Sequence, residues 1–568
     1  MGLLRRAGRV AGLVLWLILL APVLALVPAA FVDQGPGNVV RPTVFPFALA
    51  VLDPFVRLAS LNSVLGAFVV TLGSLVLGVG LARVITGWRF WGRGPLAALA
   101  LAPVIVCPLF TALGLRMLFG DRLVADGPAG PGWGWICWIW AEMTSGVALV
   151  ALATASALDR VEPAWIDAAR QTGARRFRIW WELIWPPVRP YALRAAGVVF
   201  TLTLVEPGAP LVLGLRRTLA FQMVEAAFGA DAMPRAAVLA LEAIGIAMVG
   251  RLLLTWWGGR PSALPPGPSI ARAEESSWPR AAVFLVLLTV GVIMAWLPIW
   301  ALIGSAFSPS SATLLKGAPL SAAAFLHRLN QAEARTLILN SLALGLAVVA
   351  IDLVAARSLS VWAGRRRSIA RLAAWPEAFP PLAIGVGALA LGWLLHLAVD
   401  WLRLGARPEF LIAGFQTLRD GLDSNRTPGT LLLLAVAAVC QSPLILVSRQ
   451  VGRWSQGQLT DVAITLGATE RQAYRAGLTG WFGVPPSLFL LTLVLAATSL
   501  SPALILMTPT LESRPVTPGI LIMADQPGEA RSSAAALATC VIAVNLAALG
   551  LTAKGRSEPL GDWFHGRP

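Results

Sequence analysis

The residues of this chain that could do chemistry are few, and most of them are carboxylates set in apolar surroundings. Those that lie in or at the edge of long apolar runs are Glu142, Glu206, Glu242, Asp352 and Glu377. Because burying an ionised group inside a membrane is costly, each is a candidate for binding or transport. The alternative for each is a structural role, either pairing with a nearby arginine or reaching the membrane surface. Glu206 differs from the others because a Pro-Gly-Ala-Pro run follows it directly.

Metal and nucleotide chemistry have little support in the sequence. The three histidines, His327, His396 and His565, are far apart, and no HExxH pattern occurs. A phosphate-binding loop needs a lysine in a GxxxxGK[S/T] pattern, and neither Lys316 nor Lys554 has that context. The four cysteines lie in apolar runs without a CxxC pair, which is typical of small buried hydrophobes. We therefore predict a chain that is not an enzyme and that has no catalytic residue, no metal site and no bound cofactor.

The elements that must position these residues are membrane-spanning helices. The chain has 568 residues, of which 57% are hydrophobic and 13% charged, and its mean hydropathy is +0.73. Soluble domains carry about 25% charged residues, so the composition indicates a polytopic membrane protein. A net charge of +16 would suit nucleic acid binding. In a membrane protein it is more typical of arginine-rich cytoplasmic loops, and we predict no nucleic acid partner.

Twelve apolar stretches are long enough to span a bilayer, which takes about 20 residues. They cover residues 10–32, 62–86, 95–119, 134–158, 191–213, 236–257, 281–305, 338–362, 376–398, 428–448, 484–507 and 533–552. The first follows three arginines and could be a cleaved signal peptide, but its length favours a retained span. The predicted fold is an all-α integral membrane protein of about 12 transmembrane helices, arranged as two homologous six-helix halves.

The two halves are predicted from a linker and from repeated segments. The segment 258–280 is rich in Pro, Gly and Ser and divides the chain into a first half at 1–257 and a second half at 281–568. Leu-Asn-Ser opens a span at 61–63 and again at 339–341. In addition, IDAARQTGARRFRIW in the first half parallels TDVAITLGATERQAY in the second, and each copy lies between the fourth and fifth spans of its half.

The orientation follows from the distribution of arginine. If twelve spans alternate, Lys and Arg concentrate in the segments on the same side as the N-terminus, whereas Asp and Glu outnumber them on the other side. Basic loops stay in the cytoplasm. We therefore predict that both termini are cytoplasmic.

The charged segment between the fourth and fifth spans is predicted to form two short helices joined at a glycine. Residues Glu162–Gln171 read as the first helix, with Pro163 in its first turn. Gly173 fits a left-handed C-terminal cap, where a side chain would cost energy. A second helix would start near Ala174 and end before Pro186. An ordinary solvated loop is the alternative, but it gives no reason for the pattern to recur in both halves.

In sequence, this segment resembles the EAA loop of importer-type ABC transporter permeases. The family pattern of an acidic residue, two alanines, a glycine, an aliphatic residue and a proline is met by Asp167, Ala168, Ala169, Gly173, Leu183 and Pro186. The second copy keeps Asp461, Ala463 and Gly467, but it has Val462 at one alanine position and Thr479-Gly480 where the closing Leu-Pro element would be. The resemblance implies that the loops at 159–190 and 449–483 are coupling loops that dock on cytoplasmic ATPase subunits.

A further resemblance, which covers most of the chain, is to the fused ferric-iron and thiamine permeases of that superfamily. Those proteins often carry Glu-Phe-Gly-Ala-Pro in the fifth span of their first half. This chain has Glu206, Pro207, Gly208, Ala209 and Pro210 there. The resemblance implies that Glu206, Pro207, Gly208 and Pro210 belong to the translocation pathway.

Together the resemblances imply the complete permease of an importer in a bacterial inner membrane. An extracytoplasmic binding protein would deliver the substrate, and separate ATPase subunits, expected as a homodimer, would use ATP to drive alternating access. Ferric iron is the first expected substrate. Thiamine or its phosphates is the main alternative, followed by phosphonates and polyamines.

Two other classes of function stay open from the residues alone. An ion-driven secondary transporter also has twelve spans, but it has no need of repeated glycine-capped loops. A membrane-embedded glycosyl- or acyltransferase needs clustered Asp, His or Ser at a membrane surface, whereas the acidic residues here are dispersed.

Overall fold

The fold of this chain is helical throughout the part that the structure describes. A computed structural model describes residues 2–35, 39–89, 93–120, 132–159, 161–229, 233–259, 274–275, 278–308, 320–363, 379–404, 413, 416–417, 486–506, 514–526 and 528–554. Within these residues, strands occur in two short pairs. Strands β1 (Val32–Gly35) and β2 (Val39–Pro42) pair antiparallel, and β3 (Trp88–Arg89) and β4 (Glu274–Glu275) pair parallel. The predicted all-α class is therefore confirmed.

The helices before the predicted linker follow the apolar stretches of the sequence. In chain order they are α1 (Gly2–Ala30), α2 (Phe45–Leu52), α3 (Pro54–Gly87), α4 (Arg93–Leu101), α5 (Pro108–Phe119), α6 (Trp133–Leu158), α7 (Pro163–Gln171), α8 (Arg176–Arg178), α9 (Trp185–Val205), α10 (Gly208–Val212), α11 (Leu219–Phe228) and α12 (Met233–Gly258). A 3₁₀ turn at Ala102–Ile105 follows α4, and a π-helical turn at Ile179–Ile184 joins α8 to α9.

The described helices after the linker begin with a similar series. In chain order they are α13 (Trp278–Phe307), α14 (Ala322–Leu329), α15 (Ala332–Ala363), α16 (Pro381–Leu404), α17 (Pro486–Ala497), α18 (Ser501–Leu506), α19 (Val516–Asp525) and α20 (Glu529–Lys554). The predicted tenth span at 428–448 lies outside the described residues. So does the second predicted coupling loop at 449–483, with Asp461, Ala463 and Gly467.

Helices long and apolar enough to cross a membrane are numerous. Among the described residues there are eight such helices, or nine if one bent pair counts as a single span. The chain is thus a multi-pass membrane protein. The total of twelve spans stays a prediction.

Three predicted spans are interrupted along their length. The stretch predicted at 95–119 bends by 102° between Gly94–Ile105 and Pro108–Phe119. The stretch at 191–213 breaks at Glu206–Pro207, and the one at 484–507 breaks at Thr498–Leu500. Pro108 directly follows the first break, Pro207 lies in the second, and Pro502 lies two residues after the third. Proline cannot donate the backbone hydrogen bond that a helix interior requires.

Helices α1 and α13, the first of each predicted half, pack against helices of the opposite half. Helix α1 lies against α15 and α16 of the second half, and α13 lies against α5 of the first half as well as against α20 of its own half. Glycines make both crossings close. A Cβ built on Gly114 of α5 would lie 2.0 Å from the carbonyl oxygen of Pro298, and one on Gly387 of α16 would lie 2.1 Å from that of Pro22. Small residues allow helix backbones to approach in this way where lipid provides no hydrophobic drive.

The first Leu-Asn-Ser segment holds the start of a short helix. The Nδ2 group of Asn62 donates to the carbonyl oxygen of Arg217 at 3.1 Å, and the backbone N–H of Leu219 donates to Oγ of Ser63 at 2.8 Å. Leu219 is the first residue of α11. Its N–H has no partner within the helix, so the serine of a distant helix supplies one.

The second Leu-Asn-Ser segment makes the same pair of contacts. Asn340 donates to the carbonyl oxygen of Arg514 at 3.0 Å, and the N–H of Val516, the first residue of α19, donates to Ser341 at 2.7 Å. The same Leu-Asn-Ser motif therefore caps the first N–H group of a later helix in both parts of the chain.

Removal of either serine hydroxyl should destabilise the protein. We expect Ser63→Ala and Ser341→Ala each to lower the free energy of unfolding by about 1–3 kcal/mol, because each leaves a buried N–H without an acceptor. SDS titration of the purified protein, followed by far-UV circular dichroism, measures this loss. Ser156→Ala is the matched control, since its buried hydroxyl only bonds back to Leu152 in its own helix. A loss in the control as large as in the two cap variants would contradict the capping role.

Candidate functional site

Helix α7 is a short exposed helix between two long apolar ones. It covers Pro163–Gln171, with Glu162 in an extended conformation before it and Pro163 in its first turn, as the sequence predicts. Proline suits this position because the first N–H groups of a helix have no internal partner. Asp167 and Ala168 are exposed and Ala169 is half-buried, so the acidic residue and the first alanine of the motif face outward.

The end of α7 is a complete Schellman cap. Gly173 has φ +80°, in the left-handed region that the sequence predicts for it. Its N–H donates to the carbonyl oxygen of Arg170 at 2.9 Å, and the N–H of Ala174 donates to that of Ala169 at 3.1 Å. These two bonds define the motif and satisfy carbonyls that the helix leaves free. A Cβ on Gly173 would meet nothing within 4 Å, so the need for glycine is conformational and not spatial.

The helix after this cap runs further than expected. The prediction of a second short helix that ends before Pro186 is wrong, because Arg176–Arg178, the π turn and α9 follow one another without a gap through to Val205. Pro186 lies in the first turn of α9, directly after the π turn. A π turn shifts the backbone bonding pattern by one residue, and this lets the helix pass a proline that would otherwise break it. Leu183 lies in the π turn and is half-buried.

Helix α7 rests on a packed apolar base. Ile166 of α7 and Ile184 of the π turn pack against a buried cluster formed by Ala82, Ala151, Ala155, Ala157, Leu158, Val161 and Val188. On the same base, the guanidinium of Arg83 lies 4.4 Å from the ring centre of Trp180, a cation–π distance. The exposed helix is therefore held by the ends of α3 and α6 and the start of α9.

The outward face of α7 is charged at its edge and small at its centre. Asp167 and Arg170 form an ion pair at 3.8 Å, and the side chains of both are about half exposed. Ala168 lies between them in sequence and presents only a methyl group. A surface of this kind lets the backbone of a partner approach closely, while charges beside it set the register.

Glu206 caps the helix that follows the break in the fifth predicted span. Its two carboxylate oxygens accept the N–H groups of Gly208 and Ala209, each at 2.9 Å. Pro207, Gly208 and Pro210 are buried around it. The sequence singled out this run, and the structure places all of its members at one interruption between α9 and α10.

Glu142 lies against Glu206 in the interior of the helices. Its side chain is buried, with 3% of the residue exposed. Oε2 accepts the hydroxyl of Thr203 at 3.2 Å, whereas the buried Oε1 has no hydrogen-bond partner. The sequence identified Glu142 and Glu206 as separate candidates, but their positions along the chain did not predict that their side chains would lie close together.

The break after Glu206 faces the break in the second part of the chain. A Cβ on Gly208 would lie 2.5 Å from Cδ2 of Leu500, the residue before α18, and 2.9 Å from Cβ of Leu109 in α5. Pro502 of α18 in turn approaches Gly385 of α16, whose Cβ would lie 3.1 Å away. The breaks in two spans, one from each predicted half, therefore meet between the helices.

The other carboxylates marked by the sequence do not join this pair. Glu242 is half-buried on α12, Asp352 is buried on α15, and Glu377 lies outside the described residues. Within the described part of the chain, no three His, Cys, Asp or Glu side chains lie close enough together to hold a metal ion.

No protein-family model matches the chain, and no curated protein matches it. Function must therefore be inferred from the two places that the structure singles out, the capped helix α7 at one end of the spans and the paired breaks in their middle.

Proposed function

We propose that this chain is the membrane permease of an ABC importer and that α7 couples it to an ATPase subunit. The observation that carries the proposal is the geometry of α7, a helix closed by a Schellman glycine, held on an apolar base and exposed on its Asp167–Ala168 side. A coupling element must be rigid with respect to the spans that it moves and free to bind its partner. Helix α7 meets both conditions.

The repeated contacts support two equivalent halves around one pathway. Both Leu-Asn-Ser segments hold the start of a later helix in the same way, and α1 and α13 cross helices of the opposite half at glycines. We propose that the second half carries its own coupling loop at 449–483, with Asp461, Ala463 and Gly467 in the places of Asp167, Ala169 and Gly173. Both loops would then bind one ATPase homodimer.

The substrate pathway is proposed to run between the facing breaks. Backbone that leaves helical geometry inside a membrane protein is tolerated where it is buried in protein or lines a cavity, and such breaks often form binding sites in transporters. The carboxyl groups of Glu142 and Glu206 both lie in this region. That favours a positively charged cargo, a property shared by the two substrates ranked first from the resemblance, ferric iron and thiamine. Phosphonates fit this region less well than polyamines do.

We propose the location and partners of this chain from its arginine distribution and from the resemblance to importer permeases. The α7 end would face the cytoplasm, since arginines concentrate there, and both termini would lie on that side of a bacterial inner membrane. An extracytoplasmic binding protein would deliver the substrate to the opposite end. ATP would be used by the partner subunits and not by this chain.

An uptake assay distinguishes the proposal from an ion-driven transporter. In vesicles that contain the chain with its cognate ATPase and binding protein, we expect uptake of ferric iron or thiamine to fall to background when ATP is removed and the membrane potential is clamped. An ion-driven transporter would continue to take up substrate under an imposed ion gradient without ATP. Uptake that persists without ATP would therefore reject the importer, and hydrolysis of ATP by the chain free of partners would reject the division of labour.

A further inference from the structure

The last turns of α12 carry large apolar side chains on an outward face. Leu252 and Leu253 are exposed, and four residues later Trp256 and Trp257 are exposed at 80% and 64%. The order along the helix is aliphatic side chains first and indoles next, at its end. This is the order found along a span that passes from the hydrocarbon core to the membrane interface, where tryptophan concentrates.

An arginine lies beside this end of the helix. Helix α9 packs on it closely, since a Cβ on Gly258 would lie 3.4 Å from Cα of Pro190. The neighbouring Arg189 brings Nη2 to 3.7 Å from the Cβ position of Gly259. We call Arg189, Leu252, Leu253, Trp256 and Trp257 the Arg189 shelf.

The charge of Arg189 is not balanced by the protein around it. Its Nε atom is buried and has no hydrogen-bond partner, and no described carboxylate forms an ion pair with it. In sequence, the chain beyond Gly259 adds Arg260 and Arg272 and no acidic residue before Glu274. Arg189 is half-buried, so part of its guanidinium lies at the surface, where an anion can balance its charge.

We propose that the Arg189 shelf binds an anionic phospholipid. The headgroup phosphate would accept hydrogen bonds from the guanidinium of Arg189, the two indoles would lie at the level of the headgroups, and the acyl chains would run along Leu252 and Leu253. A phospholipid would contact the guanidinium, the indoles and the leucines of the shelf. A free phosphate would contact only the guanidinium and leave the indoles and leucines uncovered. Guanidinium matches phosphate in charge and in donor geometry. The proposal does not depend on the transport function, because it uses only the membrane location and the outward face of α12.

Retention of lipid by the purified chain tests the proposal. The full-length protein, reconstituted with equal amounts of phosphatidylglycerol and phosphatidylcholine and then extracted in mild detergent, should retain phosphatidylglycerol in native mass spectra. Arg189→Gln should lower that retention about fivefold, the effect expected for one basic residue at an anionic surface. Arg57→Gln is the control. It removes one exposed positive charge near the start of α3, whereas the far end of α3 packs with Val188, the neighbour of Arg189, so retention should be unchanged.

Other outcomes decide against the proposal. Equal retention of the two lipids, or equal loss in both arginine variants, would show that no site prefers the anionic headgroup at Arg189. Displacement of phosphatidylglycerol by excess inorganic phosphate would show a site for a free anion instead of a lipid. If Arg189→Gln fails to fold, Arg189→Lys serves in its place and should keep part of the retention, because it keeps the charge and loses the planar donor pair.

Quenching by brominated lipids tests the apolar part of the shelf. Phosphatidylglycerol brominated on its acyl chains should quench tryptophan fluorescence more strongly than brominated phosphatidylcholine. In the double variant Trp256→Leu with Trp257→Leu, this difference should fall at least twofold, because both indoles of the shelf are gone. A difference that survives in full would place the bound lipid elsewhere on the protein and overturn the assignment.

Discussion

If the chain is the importer permease proposed above, Gly173→Val is expected to reduce its co-purification with the ATPase subunit by about tenfold or more. The glycine has φ +80°, and a β-branched residue held in that region costs about 1–3 kcal/mol. The Schellman bonds of Gly173 and Ala174 would be lost as the chain left this conformation. Helix α7 would then fray at the end where it turns back to the membrane. Affinity capture from detergent extracts, at matched permease levels, measures the effect.

The matched control is Gly173→Asn. Asparagine adopts the left-handed conformation more readily than other residues with a Cβ, and the space around this position is open. We expect near-normal binding of the ATPase subunit and near-normal stimulation of its activity by substrate. Equal loss in the asparagine and valine variants would mean that the surface itself needs a bare glycine. Normal coupling in both would remove α7 from the coupling role.

The two loops are expected to contribute unequally. The first retains Leu183 and Pro186, which the structure places in the π turn and at the start of α9. The second loop has Thr479 and Gly480 in that place and Val462 at one alanine position. Gly467→Val should therefore reduce ATPase binding less than Gly173→Val does. Equal damage would argue that the shared core of the motif carries the whole interaction.

The parts of α7 that the sequence predicted correctly all rest on local chemistry. Proline in a first turn and glycine in a left-handed cap are requirements of a few consecutive residues, so they can be read without knowing the neighbours. The path of the chain after the cap was predicted wrongly for a related reason. Pro186 ends an ordinary helix, but the π turn before it changes the bonding pattern, and no local signal announced that turn.

The meeting of Glu142 with Glu206 could not be predicted, because it depends on packing between distant helices. In a soluble protein, the apolar face of a helix shows which side turns inward. Here every face of α6 and α9 is apolar enough for a membrane, so periodicity gives little information on which residues face each other. The same reason hides the exchange of α1 and α13 between halves. Their sequences show apolar spans but not the helices that they touch.

A substitution at the crossing of α5 with α13 is expected to have a large effect on the stability of the protein. Gly114→Ala should lower the apparent melting temperature of the purified protein strongly, or prevent its folding. The added methyl carbon would lie 2.0 Å from the carbonyl oxygen of Pro298, closer than any tolerated contact, and the obstacle is backbone rather than a movable side chain. The helices must separate, and overpacking of this kind costs about 1–3 kcal/mol or more.

The equivalent crossing of α1 with α16 provides a parallel test. A methyl carbon at Gly387 would lie 2.1 Å from the carbonyl oxygen of Pro22, so Gly387→Ala should be similarly damaging. Gly291→Ala is the control, because Gly291 lies in α13 itself and a Cβ there meets nothing within 4 Å. Alanine favours a helix over glycine by about 1 kcal/mol, so this variant should be as stable as the parent or more so. If all three variants melt alike, the close crossings do not exist. Loss confined to Gly114→Ala and Gly387→Ala would show that these two close helix crossings stabilise the protein.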